Sequence, residues 1–220
     1  MNTYLVTGAN RGIGLALCQQ LQAAGHQVIA VCRTGSDALN ALGVEVIDGI
    51  DVTQAEDLKR LREMLGERQL DVLINNAGVL ARNALGEIDY DTVRQQYEVN
   101  AIAPLRVTEA LLPHLTEGSK VAIVTSRMGS VADNDSGGHY GYRMSKAAVN
   151  MAGASLAIDL KPKGIAVGLL HPGYVKTDMT GHQGFVDTEH SAKGLVDRIA
   201  QLRMDNSGGF WHAEGEQLPW

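Results

Sequence analysis

Short runs of apolar and β-branched residues alternate along the chain with longer segments whose apolar positions recur at helical spacing. The short runs predict strands near residues 3–7, 27–32, 44–48, 71–75, 119–125, 164–170 and 208–212. The longer segments predict helices near residues 12–24, 54–65, 90–113, 140–160 and 189–203. Such alternation is typical of a parallel sheet covered by helices on both faces. We therefore predict an α/β fold, a doubly wound Rossmann domain with a parallel seven-stranded sheet.

Nothing in the chain suggests a second domain. No Pro-, Ser- or Gly-rich linker divides the 220 residues, and no segment is repeated. The interpretation is a single domain over residues 1–220. In a doubly wound sheet, ligands bind outside the carboxyl ends of the strands, near the point where the strand order reverses. Residues that directly follow strands are therefore the first candidates for a binding site.

Composition and charge exclude several classes of function. The chain is 45% hydrophobic and 20% charged, with a formal net charge of -6, whereas a nucleic-acid-binding protein needs a basic face. No apolar run is long enough to span a bilayer, and the first residues lack the pattern of a signal peptide. We expect no nucleic-acid partner and no membrane association.

The metal-ligating residue types form no recognisable site. Cys18 and Cys32 lack metal-binding or redox spacing, and the seven histidines form no ligand pattern. Cysteines of this kind fit a reducing compartment. We therefore expect a cytoplasmic protein without a bound metal.

A glycine cluster follows the first predicted strand. The string Thr7-Gly8-Ala9-Asn10-Arg11-Gly12-Ile13-Gly14 leads into the first predicted helix. Glycines at such a turn let the backbone approach a pyrophosphate, and the new helix offers unpaired N–H groups to the anion. The spacing is neither the usual dinucleotide fingerprint nor a Walker loop. A tight turn that binds nothing is the alternative.

The end of the second strand bears on the choice between cofactors. A NAD site usually places an acidic residue about 20 positions after the loop, whereas Arg accommodates the 2′-phosphate of NADP. This strand ends in Cys32-Arg33, and Arg11 is a second cation on the same side. The arrangement favours NADPH, since guanidinium groups bind phosphate in a bidentate way. Two solvated arginines are the alternative, and Asp37 is expected to cap a helix or face solvent.

A tyrosine and a lysine form the candidate catalytic pair. Tyr142 and Lys146 are four residues apart, on one face of a predicted helix. An unperturbed Tyr has a pKa of about 10, and a nearby positive charge lowers that pKa toward the range that a general acid needs. Tyr140 competes for this role, but the residue four positions later is Met144. We predict Tyr142 as the acid, although such pairs are common on ordinary helices.

Taken in order, these motifs resemble the short-chain dehydrogenase/reductase family over essentially the whole chain. The loop at 7–14 is similar to the family's cofactor loop, and Asn75-Asn76-Ala77-Gly78 is similar to its next signature. Four residues fall where the family has its catalytic tetrad: Asn100, Ser126, Tyr142 and Lys146. Pro172-Gly173 follows the sixth strand, as in the family. The ending 207–220 is similar, more loosely, to small carbonyl reductases of the C-factor or sniffer type.

The resemblance implies roles for these residues. Ser126 would position the carbonyl oxygen, Lys146 would also hold the nicotinamide ribose, and Asn100 would hold a water in a proton relay. NADPH or NADP+ would contact the loop, the strand ends and the Pro-Gly segment, at Gly8, Asn10, Arg11, Gly12, Ile13, Gly14, Arg33, Asp51, Val52, Asn76, Ala77, Gly78, Tyr142, Lys146, Pro172, Gly173, Val175 and Thr177.

Several of these residues also have a purely structural interpretation. Ser126 could equally be a serine in a turn. Thr125 or Ser130 could be mistaken for Ser126 as the candidate hydroxyl. Asn100 is equally a hydrogen-bonded structural amide, and Asp51 a helix cap. The spacing from Ser126 to Tyr142 is a few residues longer than the family usually shows, so we expect a reshaped loop between them.

The expected function is the NADPH-dependent reduction of a small aldehyde, ketone or quinone, with Tyr142 as general acid. The alternative is an NADPH-binding sensor or signalling protein with little turnover, because little room for a substrate lid follows Thr177. Loops 127–141 and 178–190 would shape the substrate pocket. By resemblance, the small-residue faces of helices 90–113 and 140–160 would pair in a homodimer or homotetramer; packing against the sheet is the alternative.

Overall fold

Seven parallel strands form one sheet in the computed structural model, which describes residues 1–220. The strands are β1 (Thr3–Thr7), β2 (Gln27–Val31), β3 (Glu45–Ile47), β4 (Leu70–Asn75), β5 (Leu115–Val124), β6 (Ala166–His171) and β7 (Phe210–His212). Their order is β3-β2-β1-β4-β5-β6-β7, and every neighbouring pair is parallel. The predicted doubly wound, seven-stranded parallel sheet is confirmed. Strand order reverses between β1 and β4, so a crevice opens at their carboxyl ends.

Helices cover both faces of the sheet. They are α1 (Gly12–Ala23), α2 (Asp37–Asn40), α3 (Ala55–Leu65), α4 (Tyr90–Tyr97), α5 (Ala103–Leu111), α6 (Tyr140–Asp159) and α7 (Thr188–Gln201). Helices α1 and α7 pack against each other on one face, and α3, α5 and α6 lie on the other. None of the helices has the length and apolar character needed to cross a membrane.

Two apolar cores lie on the two faces of the sheet. Successive residues of a strand point to opposite faces, so Leu5 joins the core under α3 and α5, whereas Val6 joins the core under α1 and α7. Both residues are fully buried. Because both faces are covered, the strands appear in the sequence as continuous apolar runs, which is why they were predictable.

The predicted helix over residues 90–113 is interrupted. A π-helical turn (Glu98–Ile102) separates α4 from α5, and Asn100 lies in this turn with 1% of its surface exposed. Its amide oxygen accepts a hydrogen bond from the Val79 N–H at 2.8 Å, and its amide nitrogen donates to the Val79 carbonyl at 2.8 Å. π turns insert one residue into a helix and often occur at functional sites. The apolar period continues through the insertion, so the sequence did not reveal it.

Candidate active site

A cleft of about 980 Å³ runs along the carboxyl ends of the central strands. Most of the predicted cofactor residues line it, namely Gly8, Asn10, Arg11, Gly12, Ile13, Gly14, Arg33, Asp51, Val52, Asn76, Ala77, Gly78, Tyr142, Lys146, Pro172 and Thr177. Gly173 and Val175 do not line the cleft. The Val175 side chain is buried and its backbone pairs with Val186. The structure therefore brings sixteen of the eighteen together.

The glycine turn leaves the start of α1 open to the cleft. Gly8 and Gly12 have φ of 65° and 55°, a conformation that side chains disfavour. A Cβ on Gly14 would lie 2.2 Å from the Gly8 carbonyl oxygen, so only glycine fits there. No side chain caps α1, whereas Asp89 caps α4 and Asp187 caps α7. The free N–H groups of this first turn can bind an anion such as a pyrophosphate.

Polar contacts tie the glycine turn to the loop after β4. The Thr7 hydroxyl oxygen accepts hydrogen bonds from the N–H groups of Asn76 (3.0 Å) and Ala77 (3.2 Å). The Asn76 amide donates to the carbonyl oxygens of Thr7 (3.0 Å) and Gly8 (3.2 Å). These hydrogen bonds join the two loops at the floor of the crevice, at the point where the strand order reverses.

The two arginines assigned to the cofactor phosphate differ in their surroundings. Arg33 is exposed and makes no ion pair, whereas Arg11 Nη1 lies 3.3 Å from the Asp178 carboxylate. Asp37 is exposed in the first turn of α2, and the cap of that helix is Ser36, whose hydroxyl accepts from the Leu39 N–H. Arg33 is therefore the cation that is free to receive a phosphate.

Asp51 does not cap a helix. Its carboxylate accepts hydrogen bonds from the Thr53 N–H at 2.9 Å and the Thr53 hydroxyl at 2.7 Å, and Gln54 occupies the N-cap of α3. Burial acts to raise the pKa of Asp51, but the Thr53 hydrogen bonds and the charge of Arg33 outweigh it, so the pKa lies below its ordinary value. Asp51 is thus a fixed anion beside Arg33 at the cleft wall.

Tyr142 and Lys146 lie side by side on α6 at the other end of the cleft. Tyr142 is 8% exposed and Lys146 5%, and the ammonium lies 5.7 Å from the centre of the phenol ring. Lys146 Nζ donates to the Val124 carbonyl oxygen at 3.0 Å, which anchors it to the end of β5. Tyr140 does not line the cleft, so the geometry supports Tyr142 over Tyr140.

The structure does not show the expected lowering of the Tyr142 pKa. Burial raises the pKa of Tyr142 to about 12, partly opposed by a hydrogen bond with Ser126. Burial likewise lowers the pKa of Lys146 to about 8. Desolvation disfavours the charged form of both groups and is the largest cause of both shifts. The prediction that the pKa of Tyr142 is lowered was wrong.

The three candidate hydroxyls after β5 have different partners. The Ser126 hydroxyl is near enough to Tyr142 to act on its pKa, and it accepts a hydrogen bond from the Met128 N–H at 3.1 Å. Thr125 instead donates to the Asn150 amide oxygen at 2.7 Å, and Ser130 accepts from the Asp133 N–H. Ser126 is therefore both a turn serine and the one hydroxyl of the three that reaches the phenol.

Asn100 lies beneath the cleft, next to the lysine. Besides its two bonds to Val79, it donates to the Ser145 hydroxyl at 3.0 Å, and Ser145 donates to the Tyr142 carbonyl at 2.8 Å. A Cβ on Gly78 would lie 3.3 Å from the Asn100 amide oxygen and 3.9 Å from Lys146 Nζ. Asn100 thus links the loop after β4 to α6; its role in a water relay stays a prediction.

Other residues of the cleft were not foreseen. Thr53, Val79, Glu98, Asp178 and His182 all line it. Thr53 and Val79 lie in the loops after β3 and β4, Glu98 lies in the π turn, and Asp178 and His182 lie in the segment after Thr177. The ion pair between Arg11 and Asp178, 167 residues apart, is the clearest case.

Comparison with known proteins identifies the family. The profile described as short chain dehydrogenase matches residues 2–184, which is more than half of the chain. The chain belongs to the short-chain dehydrogenase family. It is 44% identical over 226 residues to 1-hydroxy-2-glutathionyl-2-methyl-3-butene dehydrogenase of Rhodococcus sp. (strain AD45), covering 100% of both chains. It is 49% identical over 154 residues to C-signal of Myxococcus xanthus, covering 69% of this chain and 93% of the relative.

Solved structures of this short-chain dehydrogenase family superpose over the whole chain. The carbonyl reductase Sniffer of D. melanogaster matches with a TM-score of 0.93 and 30% identity, covering 100% of both chains. An NADPH-bound carbonyl reductase from chicken fatty liver matches with a TM-score of 0.91 and 31% identity, covering 100% of this chain and 99% of the other. The resemblance to C-factor and sniffer type reductases is therefore confirmed.

Proposed function

We propose that this short-chain dehydrogenase is an NADPH-dependent reductase of small carbonyl compounds, formed by one domain over residues 1–220. The observation that carries the proposal is the layout of one cleft. An uncapped, glycine-lined helix start and Arg33 lie at one end, and the buried Tyr142 and Lys146 lie at the other, with the buried Ser126 next to Tyr142. Phosphate recognition and proton donation are thus separated along a single groove.

The cleft fits a dinucleotide phosphate. The uncapped start of α1 offers backbone N–H groups to a pyrophosphate, and Arg33 offers a guanidinium for the 2′-phosphate. Asp51 and Val52 would lie along the adenine, and Asn76, Ala77 and Gly78 along the ribose side. Bound NADPH supplies the hydride. The NADPH-bound carbonyl reductase with 31% identity supports this choice of cofactor.

Tyr142 would donate the proton to the carbonyl oxygen. Its pKa of about 12 keeps the phenol protonated at neutral pH, so Tyr142 already holds the proton when the substrate binds. Ser126 would donate a hydrogen bond to the same oxygen as negative charge develops there. The cationic form of Lys146 would stabilise the phenolate left behind, and Asn100 would hold the water that returns the proton.

The substrate class is a small aldehyde, ketone or quinone, and the reverse reaction is the oxidation of the alcohol. The relative with 44% identity is named as a dehydrogenase of a hydroxylated glutathionyl compound, so conjugated alcohols belong in the panel of substrates. Two buried free cysteines, Cys18 and Cys32, support a reducing cytoplasm as the compartment.

The test is the loss of reduced-nicotinamide absorbance with NADPH and with NADH against aldehydes, dicarbonyls, ketones and quinones. Nucleotide binding is measured in parallel by the fluorescence of the reduced cofactor. Turnover with a preference for NADPH is expected. Tight NADPH binding without turnover of any carbonyl would instead favour the NADPH-binding sensor, and absence of NADPH binding would contradict both functions.

A further inference from the structure

Two guanidinium groups and one imidazole gather where α6 begins. Arg143 follows Tyr142 on the first turn of α6, and His139 occupies the N-cap of that helix. Arg82 lies in the loop after β4, and the next residue, Asn83, accepts a hydrogen bond from the His139 N–H at 2.9 Å. The positive charges of Arg143 and Arg82 both act on His139. We refer to Arg82, His139 and Arg143 as the cationic cluster.

The cationic cluster has no carboxylate partner. None of its three members forms an ion pair, whereas the nearby Arg127 pairs with Asp133 at 3.0 Å and Glu216 at 2.9 Å. Arg143 is instead held by neutral oxygens, at 3.1 Å from the Gly137 carbonyl and 2.9 Å from the Ser136 hydroxyl. A guanidinium has five N–H donors, so Arg143 retains donors for a further acceptor.

His139 adds a second unsatisfied group to the cluster. Its Nδ1 is buried and has no hydrogen-bond partner, and its backbone has φ of 48°, in the left-handed region. Burial, then the charges of Arg143 and Arg82, lower the pKa of His139. A buried polar atom without a partner is costly, and an anion would satisfy the atom and offset the surrounding positive charge.

The cluster flanks the candidate chemistry and lies apart from the cofactor phosphates. Arg143 Nη1 lies 3.5 Å from the Met128 carbonyl oxygen, two residues beyond Ser126. No member of the cluster lines the dinucleotide cleft. Arg143 directly follows Tyr142 on α6, and its contact with Met128 puts the cluster beside the turn that begins after Ser126.

We propose that the cationic cluster binds a carboxylate on the carbonyl substrate, so that the preferred substrates are carbonyl acids. This inference rests on the proposed reductase function, because it names the substrate class of the same site. Arg143 would supply a forked pair of donors that matches the planar carboxylate. Arg82 is exposed and donates no hydrogen bond. Its positive charge would therefore be available to the carboxylate.

The test compares 4-carboxybenzaldehyde with methyl 4-formylbenzoate, which differ in the charge of one substituent. The wild-type protein is expected to have the lower KM for the acid. Arg82→Gln should raise the KM for the acid by about threefold to tenfold, and Arg143→Gln by about tenfold or more, with the KM for the ester little changed. Arg143→Lys should restore part of the preference, because it restores the charge. Arg62→Gln, on α3, is the matched control for loss of one positive charge.

Three results would overturn the inference: equal KM values for the two aldehydes in the wild type, equal effects of Arg82→Gln on both, or no effect of Arg82→Gln on either. If neither aldehyde is reduced, the reductase proposal is decided by the wider panel of carbonyl compounds, and calorimetric titration of both aldehydes into the NADP+-loaded protein decides the inference separately. Tighter binding of the acid that Arg82→Gln abolishes supports the carboxylate site, and equal or absent binding contradicts it.

Discussion

Gly129 rests directly on the backbone of Lys146. A Cβ on Gly129 would lie 2.6 Å from the Lys146 carbonyl carbon and 2.8 Å from its oxygen, distances that no real Cβ tolerates. Gly129 ends the short 3-10 turn that begins after Ser126. The contact therefore sets how close the turn with Ser126 comes to the helix that carries Tyr142 and Lys146.

Gly129→Ala should separate this turn from α6. Overpacking of this kind costs about 1–3 kcal/mol, so the midpoint of thermal unfolding should fall by several degrees. We expect kcat to fall by about tenfold or more, because a small misplacement of reacting groups is costly, while NADPH binding is retained. Calorimetry, initial rates and cofactor titration measure the three effects. Gly35→Ala is the control, since its Cβ would meet nothing nearer than 3.7 Å; a wild-type kcat in Gly129→Ala would contradict the positioning role.

Tyr142→Phe should remove the proton donor and keep the shape of the site. General acid catalysis contributes about 10²–10⁴-fold, and kcat for any carbonyl substrate should fall by that range. The affinity for NADPH should change little, since the ring remains. Stopped-flow rates and fluorescence titration make the measurement. Tyr140→Phe, two residues away and outside the cleft, should keep the wild-type rate; equal losses in both variants would contradict the assignment.

The elements that the sequence predicted well are those dictated by local pattern. The strands were predictable because burial on both faces leaves unbroken apolar runs, as in β1 and β6. The residues that line the cleft were predictable because glycines and polar residues directly follow strands. The order of the motifs predicted that Tyr142, Lys146 and Ser126 belong to one catalytic site.

The rest depended on contacts between distant segments. The direction of the Tyr142 pKa follows from full burial, which the Tyr-Lys spacing does not encode. The Asn100 amide in the π turn pairs with both backbone groups of Val79, 21 residues away. The partner of Arg11 lies 167 residues away. None of these contacts leaves a periodic signal in the sequence.

The buried ammonium of Lys146 should make stability depend on pH. Its pKa is about 8 in the folded protein, against 10.5 ordinarily, so the unfolded chain binds more protons between these values. Stability contributed by Lys146 therefore rises as the pH increases through this window. Relative to Lys146→Met, the wild type should gain up to about 1.4 kcal/mol per pH unit.

Urea unfolding of both proteins from about pH 7 to pH 9.5 measures this difference. The range stays below the region where Tyr142 titrates, and that group is common to both proteins, so its contribution cancels. A difference in unfolding free energy that stays constant or shrinks with rising pH would contradict the buried, weakly basic lysine.

Arg33 and Arg11 should contribute unequally to the choice of NADPH. Arg33 has no ion pair, whereas the positive charge of Arg11 is partly offset by the Asp178 carboxylate at 3.3 Å. Arg33→Gln should therefore weaken NADPH binding by about tenfold or more, and Arg11→Gln by less. The affinity for NADH, which lacks the 2′-phosphate, serves as the internal control. Equal losses for NADPH and NADH would place Arg33 away from the 2′-phosphate.

An exposed apolar stripe on α6 supports the expected self-association. Met144, Met151 and Ile158 recur every seven residues along the helix and are 55%, 70% and 73% exposed. Residues at this spacing share one face of a helix, so a second copy could cover them together.

Met151→Glu should convert a dimer to a monomer, measured by light scattering coupled to gel filtration at micromolar concentration. Met64→Glu, equally apolar before the change but on α3 and 51% exposed, should leave the mass unchanged. A wild-type protein of monomer mass under these conditions would contradict pairing through α6.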